Sequence, residues 1–121
     1  MNWNKRKGLQ YESLAKKHLQ KQGLTLFLQN YHSRFGEIDL VMLDGNTVCF
    51  IEVKYRKSLN FGGAASAISY SKKQKIIKTA QIFMRENQKL ANRAMRFDAL
   101  ILQQIDQDIS INWIQNAFYA E

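Results

Sequence analysis

The chain has 121 residues, 45% of them hydrophobic, with 18 Lys and Arg against 10 Asp and Glu and a net charge of +8. That composition supplies one core for one domain spanning residues 1–121; it contains no apolar run near the ~18 residues of a membrane span, and residues 1–7 lack the apolar stretch of a signal peptide. The single cysteine, Cys49, excludes an internal disulfide, and the two histidines, His18 and His32, lack the spacing of zinc ligands, so a reducing cytoplasm is the expected compartment.

Tyr11, Leu14, Ala15 and Leu19 recur at helical spacing and predict a first helix over residues 8–22, with Gly23 as its stop. A strand over 24–31 follows, and His32 sits in a turn-like stretch. Two acid-bearing apolar runs come next, Gly36-Glu37-Ile38-Asp39-Leu40-Val41 and Phe50-Ile51-Glu52-Val53-Lys54, and they predict strands over 36–43 and 47–56. Between them, Asp44-Gly45-Asn46 is a hairpin signal, because Gly and Asn tolerate positive φ. With Gly45-Asn46 as the loop, Asp44 pairs with Thr47 and Asp39 falls opposite Glu52. With Asp44-Gly45 as the loop, Asp39 faces Phe50 and lies diagonal to Glu52 on the same face. Strand alternation puts Lys54 on that face too, whereas Glu37 reads as solvent-facing.

Phe61-Gly62-Gly63-Ala64-Ala65 reads as a flexible connection. A second helix is predicted over 71–87, with Ser71 as N-cap and an inward stripe of Ile76, Ile77, Ala80, Phe83 and Met84. Strands over 97–102 and 109–114, with a polar stretch over 103–108 between them, close the chain. The order is α-β-β-β-α-β-β. The second helix can act as a right-handed crossover that lays the 97–102 strand parallel to the Glu52 strand. The expected class is α/β, a mixed sheet flanked by helices.

Two carboxylates side by side in apolar strands repel each other and lose hydration, so a proton, a cation or a divalent metal must offset them. Oxygen donors suit Mg²⁺ or Mn²⁺, which keep several waters and take one or two protein carboxylates. With Lys54 beside them, the set matches what phosphodiester hydrolysis needs. Basic residues cluster at Lys5-Arg6-Lys7, at Lys16 and Lys17, at Lys54, Arg56 and Lys57, and at Lys72, Lys73, Lys75 and Lys78, while 97–121 carries none. The positive field therefore surrounds the acidic hairpin and the helix after it, and favours a nucleic-acid partner or another anionic surface. Tyr31, Tyr55 and Tyr70 either stack on bases or sit half-buried in the core. Trp3 and Trp113 read as packing residues, and Asp98 as a cap or salt-bridge residue.

The element order, the acid in the second strand and Glu-x-Lys in the third resemble the restriction-endonuclease-like PD-(D/E)XK nuclease fold. Several blocks resemble more closely the YraN family of small bacterial proteins, themselves similar to archaeal Holliday-junction resolvases. The blocks are Gly8-x-x-Tyr11-Glu12-x-x-Ala15, Gly36 to Val41, Phe50 to Lys54 with Arg56, Lys73-Gln74, Arg96-Phe97-Asp98 and Asn116-Ala117-Phe118. The resemblance implies a metal-dependent nuclease acting on DNA, with Asp39, Glu52 and the main-chain carbonyl of Val53 as ligands of Mg²⁺ or Mn²⁺. It implies that Lys54 orients or helps deprotonate the attacking water, or stabilises charge on the phosphate. It makes Glu12 an extra acid beside the metal, where position alone makes it a solvated helix residue. It brings Gln74 to the site, and it leaves Arg56, Lys57, Lys72, Lys73 and Lys75 to hold phosphates. Two departures are Tyr11, where relatives carry Gly, and Ile38 in place of the proline of the PD half-motif. A homodimer, as resolvases use, and a monomer with a small basic cleft both fit the sequence. So does a nucleic-acid-binding module of the same fold without catalysis. No membrane partner is expected.

Overall fold

The computed structural model describes residues 3–57 and 68–120, and the side chains among them from residue 8 onward. The predicted connection 61–65 and the side chains of Trp3 and of Lys5-Arg6-Lys7 lie outside the described residues. Helix α1 spans Trp3–Lys21, strands β1, β2 and β3 span Thr25–Ser33, Gly36–Asp44 and Thr47–Arg56, and helix α2 spans Tyr70–Glu86. Strands β4 and β5 span Met95–Ile105 and Asp108–Phe118, giving the expected order α-β-β-β-α-β-β. The strands form one mixed sheet in sequence order, with β3 and β4 parallel and the other neighbours antiparallel.

Sequence chemistry explains the boundaries. Gly23 ends α1 at φ 101°, a conformation costly for any residue with a Cβ. The N-cap of α2 is Ser69, not Ser71: the Ser69 side chain accepts the Lys72 main-chain N–H at 3.2 Å. Both serines precede the apolar stripe, and only the one three residues before a free N–H can close the cap. β1 runs through Ser33, so His32 lies in a strand, where it meets Glu37 at 3.2 Å, rather than in a turn. β4 and β5 reach further than their apolar runs because they pair with each other as far as Ile105 and Asp108, beyond the buried core.

Two clusters sandwich the sheet. On one face Ala15 and Leu19 of α1 pack on Leu40, Met42, Cys49, Ile51, Leu100 and Leu102. On the other, Ile76, Ile77, Ala80 and Phe83 of α2 pack on Val41, Phe50, Phe97 and Ala99. Leu14, expected on the inward face of α1, is 40% exposed, whereas Thr79 in α2 is fully buried and bonds the Ser33 hydroxyl at 2.8 Å. Trp113 packs, partly buried, against the core on the α1 side of the sheet, and its indole N–H also bonds Asp98 at 3.0 Å. Among the described residues no helix is long and apolar enough to cross a membrane.

Candidate metal centre and its basic surround

The β2–β3 hairpin closes through Gly45, at φ 60°, with Asp44 opposite Thr47. This is the first of the two registers the turn allowed, and extended along the strands it sets Asp39 against Glu52. Regular pairing runs only from there to Leu40 and Ile51. At that point β2 breaks its alternation: Ile38 and Val41 lie in the α2-side core, Leu40 and Met42 in the α1-side core. Asp39 sits at the break. Its Oδ2 accepts the main-chain N–H of Val53 at 2.8 Å, so a side chain takes the place of a main-chain acceptor where the strands part. The chain thereby leads a carboxylate into the middle of a sheet without orphaning the donor beside it.

Glu52 is 6% exposed, on the α2 side of β3. Its neighbour in β4 is Ala99, and the next outward pair on that face is Lys54 and Ile101. Ala99 and Ile101 belong to the α2-side core, so Lys54 shares the face of Glu52, as alternation predicted. From the first turn of α2, Lys72 reaches Glu52 Oε1 with its ammonium at 2.9 Å. Burial, and then the Asp39 charge, push the Glu52 carboxyl up to about 7 against the pull of Lys72. Asp39 also titrates above the usual carboxylate range, because its burial outweighs the Val53 N–H, a hydrogen bond with Glu52 and the Lys72 charge. The two carboxyls thus form a pair that holds a proton more readily than free acids do.

Glu12, on α1, is within reach of the Asp39 charge. Burial and the Asp39 charge raise its carboxyl, with hydrogen bonds from Asn30 and Gln29 opposing, and its Oε1 is buried without a partner. An open recess of about 390 Å³ lies over it, lined by Gly8, Leu9, Glu12, Asn30, His32 and Glu37. Asn30 adopts φ 56°, opposite the break in β2. Tyr11, the departure beside Glu12, stacks flat on Tyr55 of β3, with ring centroids 4.1 Å apart. That contact seats α1 against the sheet while Glu12 stays half-buried, with only its Oε1 fully covered.

The other predicted residues are more dispersed. Gln74 lines a second cavity of about 350 Å³ with Tyr70, Lys73, Phe118 and Tyr119, and neither Asp39 nor Glu52 is among its described walls. Lys73 lies over the Phe118 ring at 5.8 Å. Lys75 is exposed beside Gly36, and Lys78 and Arg34 flank the Phe35 ring at the tip of the β1–β2 hairpin, at 5.3 and 4.8 Å. Arg56 and Lys57 follow Lys54 at the end of β3, Lys57 exposed. Of the tyrosines weighed for base stacking, Tyr31 packs edge-on against Phe83 and hydrogen-bonds Glu86, Tyr55 is covered by Tyr11, and Tyr70 stands 76% exposed. The contact of Lys72 with the carboxylates was not apparent in the sequence. Its only signal was the first turn of a helix that crosses back after the Glu52 strand.

The donor set fits a hard divalent ion. Asp39, Glu52 and the Val53 carbonyl offer oxygen only, the donor type such an ion takes. Among the described residues no three His, Cys, Asp or Glu side chains come together as a group that could hold a metal ion.

The raised carboxyls set a pH dependence. A carboxyl that binds its proton more tightly in the folded than in the unfolded chain destabilises the fold once it must ionise. The effect is absent below 4.5, grows as pH rises and is complete above about 7. In EDTA, urea unfolding at pH 5 and pH 8 is therefore expected to show wild-type stability falling with pH relative to Glu52→Gln. A difference that stays level or rises with pH contradicts the assigned environment of Glu52.

A family described as "Uncharacterised protein family UPF0102" matches residues 11–102. The chain is similar to a UPF0102 protein of Vibrio parahaemolyticus serotype O3:K6, 46% identical over 110 residues that cover 91% of this chain and 89% of the relative. It is also similar to UPF0102 proteins of Stutzerimonas stutzeri, 42% identical over 118 residues covering 98% of both chains, and of Methylobacillus flagellatus, 49% identical over 109 residues covering 90% and 93%.

Proposed function

We propose that this chain, which belongs to the uncharacterised protein family UPF0102, is a Mg²⁺- or Mn²⁺-dependent nuclease that hydrolyses phosphodiester bonds in DNA, with branched or otherwise structured DNA as its substrate class. The observation that carries the proposal is the pair of carboxyls at the break between β2 and β3, Asp39 bonded to the Val53 N–H at 2.8 Å and Glu52 6% exposed, with Lys54 on the face of Glu52. An acidic pair built into the sheet of a protein with net charge +8 is costly and calls for a chemical use.

Asp39, Glu52 and the Val53 carbonyl would hold the ion, with Glu12 beside them; the ion supplies Lewis-acid activation of water and charge stabilisation at the phosphate. Lys54 orients the attacking water, helps remove its proton, or offsets charge on the phosphoryl oxygens. Lys57, Lys73 and Lys75, with Arg56, would hold the phosphate backbone without reading sequence. Cutting two symmetric strands of a junction would take two copies, so a homodimer on DNA, in the cytoplasm, belongs to this proposal.

The Lys72–Glu52 contact at 2.9 Å favours one other reading, a nucleic-acid-binding module whose acidic pair is neutralised internally. Incubating the protein with a labelled four-way junction, a duplex and a single strand, in Mg²⁺, Mn²⁺ or EDTA, separates the two. Metal-dependent cleavage that EDTA stops is the expected result. Steeply salt-dependent binding with no cleavage in any metal would move the function to the binding module.

A further inference from the structure

The family resemblance leaves Lys72 with phosphates to hold, yet its ammonium is turned inward onto Glu52 Oε1 at 2.9 Å. The two partners differ in freedom. Glu52 is 6% exposed on a strand paired with β4 at Ala99 and tied to β2 through the Val53–Asp39 bond, whereas the Lys72 side chain is 44% exposed. The Lys72 backbone is anchored by the Ser69 cap. Its flexible stem can therefore leave the acid without moving the helix, and the acid cannot follow it.

Lys72 also faces more than Glu52. The charges of Asp39 and Glu37 act on its ammonium as well as that of Glu52. It is a counter-cation for the acidic cluster rather than one half of an isolated surface pair. A divalent ion bound through Asp39 and Glu52 would lie within a few ångströms of that ammonium, and like charges so close in a half-buried site repel strongly.

Resting on the nuclease proposal, we infer that Lys72 is a resident counter-cation of the Asp39–Glu52 pair that holds the two carboxyls together in the metal-free protein and is exchanged for the divalent ion when the site loads. Lys72 is thus a positioning residue that sets metal affinity. It competes with the ion; it does not assist it. A lysine that merely oriented Glu52 for the metal would have the opposite effect.

The test is a calorimetric titration of Mn²⁺ into the wild type, Lys72→Met and Lys72→Arg, without nucleic acid. Methionine keeps the apolar stem and removes the charge; arginine keeps the charge and reports on a variant that folds with its ion pair intact. Lys72→Met is expected to bind Mn²⁺ about three- to tenfold more tightly than the wild type, the scale of losing one partly exposed competing ion pair. Lys72→Arg is expected to stay near the wild type. Equal or weaker binding by Lys72→Met overturns the inference while leaving the nuclease proposal standing. No Mn²⁺ binding by the wild type removes that proposal, and the inference with it.

Discussion

Replacing Asp39 by Asn is expected to lower metal-dependent cleavage by about 10²- to 10³-fold or more while leaving nucleic-acid affinity equal or higher. Asn is the informative choice. Asp39 Oδ2 accepts the Val53 N–H at 2.8 Å, and an Asn carbonyl can keep that bond while the negative charge is lost. Ala would leave a part-buried donor unpaired, at about 1–3 kcal/mol, and blur chemistry with folding. Glu52→Gln makes the matching change on the other carboxyl, with Lys72 losing its charged partner. Removing either charge from a face meant for phosphate lessens repulsion, so binding by fluorescence anisotropy should hold or tighten. Cleavage that survives both substitutions would place the chemistry elsewhere.

The second large effect is on stability. Asp98→Ala is expected to cost about 3–5 kcal/mol, read by urea unfolding, as when one partner of a buried ion pair is removed. Asp98 is fully buried and accepts Arg96 Nε at 2.9 Å and Nη2 at 3.0 Å, Trp113 Nε1 at 3.0 Å and the Asn116 main-chain N–H at 3.0 Å. Without it, the described partners left to Arg96 are Asp44, which is 41% exposed, and the Trp113 ring at 5.8 Å. The network also pins the register shift of β4 against β5 between Phe97 and Ala99, where Asn116 adopts φ 53°. Asp98 alternates with Phe97 and Ala99, which face α2, so it lies on the sheet face away from Glu52. The folded variant should accordingly keep wild-type Mn²⁺ affinity. A loss under about 1 kcal/mol would mean that Asp98 does not hold this junction together.

The contrast between these two sites shows what the sequence carried. The Asp39–Glu52 pairing was legible because one short turn, Asp44-Gly45-Asn46, fixes the register of a hairpin and alternation then places Lys54. Both are local rules. Asp98 was legible as a salt-bridge residue, and it pairs with Arg96, but its bonds to Trp113 and Asn116 were not, because they depend on a register shift between β4 and β5 that no local pattern marks. The same limit applied to Lys72. Its charge was visible, but its direction depends on where a crossover helix begins, and that start is set by Ser69 rather than Ser71. Gln74 was carried to the site by resemblance alone, and its position beside Phe118 and Tyr119 puts it in a separate cavity. Leu14 and Thr79 failed for a simpler reason: helical spacing gives a stripe, and the packing of the neighbouring strands decides its edges.

The central claim is that Asp39 and Glu52 form a divalent-metal site, and calorimetric titration of Mn²⁺ into the wild type and Asp39→Asn tests it most directly. The account predicts one binding site per chain in the wild type and none in the variant, with both proteins folded. Absence of binding in the wild type, or binding of equal affinity in both proteins, would contradict it.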